Sequence, residues 1–343
     1  MRKLLNVLYV TTPEAYLARD GENVIIRVEE ENRFRIPIHN LEGIICFGYT
    51  GASPALMGLC AERGVSVSFL TEHGRFLARV TGPVSGNVHL RRRQYRMADD
   101  EQSSVAMAYS FITGKIANCR TVLQRAVRDH EGSIDAESVS KSVYALAGLI
   151  DRLGKCNNLD SVRGIEGEAA HIYFSSMNHI ILDQKESFFM NERNRRPPLD
   201  NMNALLSFLY TLLAHDVESA LETVGLDPAV GFLHRDRPGR PGLALDLMEE
   251  LRPYLADRLA LSLVNRRQIT ASGFCKKESG GIVMDDETRK AVLTAWQKRK
   301  QEEITHPFLN EKIAVGLIPY AQALLLARFL RGDLDDYPPF FWR

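Results

Sequence analysis

The chain has 343 residues, 45% hydrophobic and 25% charged, an ordinary globular balance at a length that suggests about two domains. Its 43 basic and 43 acidic side chains cancel, so net charge does not announce a polyanion partner. Five scattered cysteines without a CxxC pair exclude a zinc ribbon and a disulfide framework. No apolar run approaches membrane-spanning length, and the first ten residues lack a signal-peptide core, so a cytoplasmic protein with no membrane partner is expected.

From residue 3 to about residue 89, short runs such as LNVLYV, VIIRVE, FRIPI, LEGIICFG and VSVSFL alternate with turn signals at Asp20-Gly21 and His73-Gly74. One helix interrupts them, with Ser53 as its cap and Pro54 at its first position. Gly82, Pro83, Gly86 and the run Arg91 to Arg96 then read as a break. The expected organisation is therefore a small, mostly-β domain over residues 1–90, a linker at 91–97 and a helical domain over 98–343, an α+β fold. In the second part the spacing predicts helices over 104–129, 136–153 and 159–178, a helix capped by Asp200 running through 220, and another over 244–267 that should loosen or kink at Pro253, which lacks the N–H to bond the Glu249 carbonyl. A hairpin at 274–284, turning at Gly280-Gly281, and helices over 286–301 and 316–330 complete the chain.

Two stretches carry chemistry. In LDSVRGIEGEAAHIYF, Glu166 lies at the edge of an apolar helix face between Gly164 and Gly167, each costing about 1 kcal/mol relative to Ala. Close approach of another backbone or a substrate would compensate; the plain alternative is a tightly packed helix with Glu166 in solvent. In GLDPAVGFLHRDRPGRPGLALDLMEELRP, His234 precedes a helix bearing Asp246, Glu249, Glu250 and, further on, Asp257, acids that share a broad face. That face is either solvated or offset by a cation. One imidazole with carboxylates suits Mn²⁺ or Mg²⁺ rather than structural zinc. Arginines cluster at 91–96, 193–196, 266–267 and, directly after His234, at Arg235, Arg237 and Arg240, the first choice for phosphate contacts near the chemistry. His215-Asp216 also permits an HD-type phosphohydrolase, which would need His171 or His179 upstream and Asp246 later. A catalytically silent nucleic-acid scaffold is the remaining alternative.

The segments RGIEGEAAHIYF, NRRPPLDNMNALLSFLYTLL and VGLDPAVGFLHRDRPGRPGLALDLMEELRP, in this order, resemble the CRISPR-associated integrase of spacer acquisition, the Cas-one family. The likeness extends over nearly the whole chain, including HPFLNEKI, and its front half looks most like the subtype I-C branch. The resemblance implies a small β domain on a larger α-helical catalytic domain, and a homodimer, two of which flank a central Cas-two dimer. It implies a metal-dependent endonuclease and integrase that inserts captured protospacer DNA at the CRISPR repeat and leader by transesterification. The family's metal ligands map onto Glu166, His234 and Glu249, which are also the catalytic set. Asp246 matches a further acidic position, one turn before Glu249, placed to accept a hydrogen bond from a ligand or bound water. His215-Asp216 falls where the family has an ordinary helix, which demotes the HD reading.

Overall fold

The structure, a computed structural model, describes residues 7–29, 31–72, 76–80, 82 and 88–342. The expected turn at His73-Gly74 and the Pro83 and Gly86 part of the break lie outside these residues. The chain divides into two compact units, residues 1–85 with 293–302, and residues 86–292 with 303–343.

The first unit holds two four-stranded sheets. Strands β1 (Val7–Val10), β2 (Tyr16–Asp20), β3 (Asn23–Val28), β4 (Glu31–Pro37), β5 (Gly43–Phe47) and β6 (Gly51–Ala52) precede helix α1 (Pro54–Arg63), and β7 (Ser66–Leu70) and β8 (Phe76–Val80) follow it. One sheet has the order β1-β5-β7-β8 and the other β4-β3-β2-β6. β5 runs parallel to both neighbours, and all five of its residues are buried, as a strand covered on both faces requires. β2 and β3 form a hairpin with Asp20 opposite Asn23, and Gly21 takes the left-handed φ of +59° that the tight turn needs. α1 begins as its sequence predicts: Ser53 Oγ accepts the Leu56 N–H at 3.2 Å and Pro54 opens the helix. Leu17, Val24, Ile26, Ile44, Leu56, Leu59 and Val67 form the core.

The second unit is predominantly helical. Helices α2 (Val88–Asp99), α3 (Glu101–His130), α4 (Ala136–Leu153), α5 (Leu159–Ile180), α6 (Asn201–Thr223), α7 (Gly242–Glu249) and α8 (Arg258–Asn265) lead to a hairpin of β9 (Phe274–Lys276) and β10 (Ile282–Met284). Helix α9 (Asp286–Gln301) has its second half in the first unit, where Gln297 donates to the Val7 carbonyl at 3.0 Å. Strands β11 (Glu303–Thr305) and β12 (Lys312–Ala314) pair before the final helix α10 (Ile318–Arg331). Acidic and amide side chains start the long helices: Asp100, Asp135, Asn158 and Asp200 accept N–H groups of Ser103, Ser138, Ser161 and Asn203 at 2.7–3.1 Å. α3 is the spine, packing on α4 and α5 through a buried stripe that includes Phe111, Ile112, Ile116, Cys119 and Leu123.

Two expectations need correction. Residues 91–97, expected as a linker, lie inside α2, because Leu90 and Gln94 face inward one turn apart while the arginines occupy the other sides. The run expected over 244–267 loosens at Pro253 as expected, but is three pieces rather than one kinked helix: α7 ends at Glu249, residues Pro253–Asp257 form a π-type turn, and α8 follows. Pro253 has no N–H to return to the preceding turn, so the register opens there.

Candidate metal centre

Three helices supply the charged side chains. α5 presents Glu166, α7 ends on Glu249, and α3 contributes Lys115, which sequence reasoning did not single out. The Lys115 ammonium bonds Glu166 Oε1 and lies 2.8 Å from Glu249 Oε2, with 7% of its side chain exposed against 29% for Glu166 and 3% for Glu249. Arg252, also unforeseen, holds the other Glu249 oxygen, Oε1, at 2.7 Å. Burial works to lower the Lys115 pKa, but attraction from Glu249 and Glu166 outweighs it and the ammonium is held above its ordinary value. Burial likewise lifts the Glu249 carboxyl, and Arg252, Lys115 and His234 together more than reverse that, holding it below the usual carboxylate range.

His234 is placed by the loop between α6 and α7. Asp246, fully buried, accepts the backbone N–H groups of Phe232 at 2.6 Å, Leu233 at 3.0 Å and His234 at 3.0 Å. Its Oδ1 also accepts His234 Nδ1 at 2.6 Å. A carboxylate taking four hydrogen bonds has only acceptors to offer, so Nδ1 carries the proton and the ring presents Nε2 as its coordinating nitrogen. The loop reaches Asp246 because Gly231 and Gly242 pass closely: a Cβ on Gly231 would fall 2.6 Å from the Gly242 carbonyl carbon and 2.8 Å from Asp246 Oδ2. Arg163, one turn before Glu166, donates to the Leu233 carbonyl at 2.9 Å and so ties this loop to α5. From α2, buried Gln94 donates to the carbonyls of Asp227 and Val230 at 2.7 and 2.8 Å, and Arg91 to that of Gly225 at 3.1 Å. The segment expected as a linker therefore anchors the histidine loop.

The other acids do not crowd one face as expected. Glu250 turns away and accepts the Tyr337 hydroxyl at 2.6 Å, Gln322 Nε2 at 2.8 Å and the Phe340 N–H at 3.0 Å, and burial pushes its carboxyl up to about 7. Asp257, carried round by the π-type turn, accepts the Tyr210 hydroxyl at 2.7 Å. Glu168 pairs with Arg152 on the outer side of α5. Among the described residues the expected close approach at Gly164 and Gly167 is not made: a Cβ at either would meet nothing within 4 Å, so the helix surface beside Glu166 is bare of them. Arg235 and Arg237 are exposed and Arg240 half-buried. An HD arrangement does not assemble, since Asp246 is taken by His234 while His215 lies 3.7 Å from Glu218 and His179 3.7 Å from Asp135.

Among the described residues, no three His, Cys, Asp or Glu side chains already converge at coordinating positions. Glu166 and Glu249 converge instead on a cation, the ammonium. Glu249 Oε2 is buried and, although 2.8 Å from Lys115 Nζ, has no hydrogen bond of good geometry. Two carboxylates and an imidazole nitrogen, with one carboxylate oxygen so poorly satisfied, fit a hard divalent cation.

The sequence profile described as "CRISPR associated protein Cas1" matches residues 8–298. "CRISPR-associated endonuclease Cas1 1" of Chlorobaculum tepidum is 54% identical over 343 residues, covering all of both chains. Two solved structures share the fold. One is titled "Casposase bound to integration product", with TM-score 0.84 and 21% identity, and the match covers 98% of this chain and 94% of that one. The other is a chain of a "Cas6-RT-Cas1--Cas2 complex", with TM-score 0.82 and 23% identity over 98% of this chain and 36% of that longer one. By the extent of the profile match and by full-length identity to its relatives, the chain belongs to the Cas1 family of CRISPR-associated proteins.

Proposed function

We propose that this chain, a Cas1 endonuclease and integrase of spacer acquisition, cuts and joins DNA with Mn²⁺ or Mg²⁺ held by Glu166, His234 and Glu249. The observation that carries the reading is the meeting of the Glu166 and Glu249 carboxylates on one cation, with a histidine, oriented by buried Asp246, on the loop that Arg163 ties to α5. Bound there, a divalent ion supplies Lewis acidity at the scissile phosphate. The joining step is a transesterification. The 3′-hydroxyl oxygen of a captured fragment bonds to phosphorus and the target strand's own 3′-oxygen leaves; water in place of the hydroxyl gives cleavage. Asp246 keeps the His234 proton on Nδ1, Arg163 holds the histidine loop against α5, and the bare surface at Gly164 and Gly167 lets a sugar-phosphate backbone come close to Glu166. Arg235, Arg237 and Arg240 bind phosphates, adding affinity without reading sequence.

The DNA is the protospacer and the CRISPR repeat and leader, and the working assembly is a homodimer, two of which flank a Cas2 dimer. The fold shared with a chain of a Cas1–Cas2 complex supports that assembly. Among the described residues no helix is long and apolar enough to cross a membrane. We place the chain in subtype I-C on the likeness of its front half. Glu166→Ala, His234→Ala and Glu249→Ala should each abolish Mn²⁺-dependent cleavage of branched DNA and integration, while circular dichroism and sedimentation still report a folded dimer. Near-normal turnover in any folded member of the set removes that residue from the ligands.

A further inference from the structure

The cation between Glu166 and Glu249 belongs to the protein itself. Lys115 rises from the buried stripe of α3, four residues after Phe111 and four before Cys119, where an apolar side chain would continue the pattern. Its ammonium reaches one oxygen of each carboxylate, and Arg252 takes the second oxygen of Glu249. The buried ammonium requires these carboxylates, because without them it would be an uncompensated charge away from water; Glu249 is buried with it, while Glu166 remains partly open to solvent. The lone pairs of Glu166 Oε1 and Glu249 Oε2 that face the ammonium are the pair through which these two side chains would jointly ligate a divalent ion. A divalent ion drawing on both oxygens would take the place where the ammonium now bonds, and repulsion between like charges would drive the ammonium off.

Building on the metal site proposed above, we infer that Lys115 is a tethered counter-cation: it holds Glu166 and Glu249 in ligand geometry while the site is metal-free and competes with the incoming metal for their oxygens. It is a positioning residue. Its flexible four-carbon stem allows the ammonium to withdraw without moving α3, which a guanidinium fixed to both carboxylates would not do as readily. Metal affinity in this chain is then a difference between two cations' hold on the same oxygens, and the lysine sets the concentration at which the site fills.

The test is Mn²⁺ binding to the full-length protein, read from the free-ion electron paramagnetic resonance signal, with unfolding temperatures in EDTA and in saturating Mn²⁺. Wild type should bind Mn²⁺, and Glu166→Gln should lose that binding; if wild type binds no more than Glu166→Gln and His234→Ala, the metal site falls and this inference with it. Given a bound metal, Lys115→Met should tighten Mn²⁺ by about tenfold or more, the scale on which groups behind metal ligands tune affinity. The same variant should unfold at lower temperature in EDTA and gain more from Mn²⁺ than wild type does. Equal or weaker binding by Lys115→Met, with an unchanged Mn²⁺-induced shift, makes the lysine a structural ion pair only and overturns the inference. If Lys115→Met does not fold in EDTA, Lys115→Gln carries the same expectation, and recovery of either variant by Mn²⁺ supports replacement of one cation by the other. Failure of both to fold even in saturating Mn²⁺ refutes it.

Discussion

Replacing Asp246 by Asn separates orienting the histidine from ligating the metal. The aspartate accepts four hydrogen bonds, two on Oδ2 from Phe232 and Leu233 and two on Oδ1 from the N–H and Nδ1 of His234. An amide of the same shape has one acceptor oxygen and one NH₂. With the oxygen toward Phe232 and Leu233, the NH₂ faces the His234 N–H, donor against donor. One buried N–H is then unpaired and the remaining bonds lose their charge assistance, which together cost about 2–4 kcal/mol. The NH₂ also faces Nδ1, so the ring proton moves to Nε2 and closes the nitrogen needed for the metal. Turning the amide over preserves the tautomer but leaves the Phe232 and Leu233 N–H groups unpaired, at about 1–3 kcal/mol each. In either pose metal affinity should fall roughly 10- to 100-fold. The assay is cleavage of branched DNA across a Mn²⁺ titration, paired with urea unfolding in EDTA. The expected outcome is a half-maximal Mn²⁺ concentration raised by that factor, measurable turnover at high Mn²⁺, and a stability loss of a few kcal/mol. A folded Asp246→Asn protein that is dead and metal-free at every Mn²⁺ concentration would show that Asp246 ligates directly, with Glu249 retaining activity when replaced; an unshifted titration would show that it orients nothing.

Asp257 should leave a signature in the pH dependence of stability. Burial raises its carboxyl from the ordinary 3.8 to about 6, against the opposing effects of the Tyr210 hydroxyl and the Arg252 and Arg193 charges. The folded state therefore keeps a proton that the unfolded chain has released, so stability falls as pH rises from about 4 to about 6, by about 3 kcal/mol for a two-unit difference. Denaturant unfolding should show a decline between pH 4 and 6 that is smaller by about 3 kcal/mol in Asp257→Asn than in wild type, the remaining fall coming from Glu250; parallel curves would refute the assignment. Replacing Arg235, Arg237 and Arg240 together with Ala should weaken duplex binding uniformly across sequences and reduce the slope of log affinity against log salt by roughly 2 to 3, at about 0.9 per phosphate contact. An unchanged slope would place the DNA path elsewhere.

Much of the helical unit was readable because its signals are local. Asp200 caps α6, residues 136–153 and 286–301 are helices with the ends their spacing predicts, and Pro253 marks the turn where the register opens. Glu166, His234 and Glu249 stood out because a histidine and acids lie within one short motif and a glycine-flanked acid lies in another. What could not be read is which side chains those acids face. Lys115 sits 51 residues before Glu166, and only its position in the apolar stripe of α3, where a cation requires a buried partner, hinted at its part. Gln94 was hidden differently. The arginines around it read as a break between domains, whereas the inward pair Leu90 and Gln94 carries the helix that pins the histidine loop. The loosening at Pro253 was legible, but the acids were counted onto one face at regular helical spacing across it, and the π-type turn rotates Asp257 onto Tyr210.

The return of residues 293–302 to the first unit bears on how the chain is made. A ribosome releases the strands of that unit early, but the helical segment that belongs with them emerges only after about two hundred further residues, some 10–40 s later at ordinary elongation rates. During that interval the first unit is one helical segment short, and the Gln297 donor to the Val7 carbonyl has not yet been synthesised. The two units are therefore completed almost together, only once residues 293–343 have emerged. A break placed after residue 85 would release a polypeptide that still lacks part of its own fold.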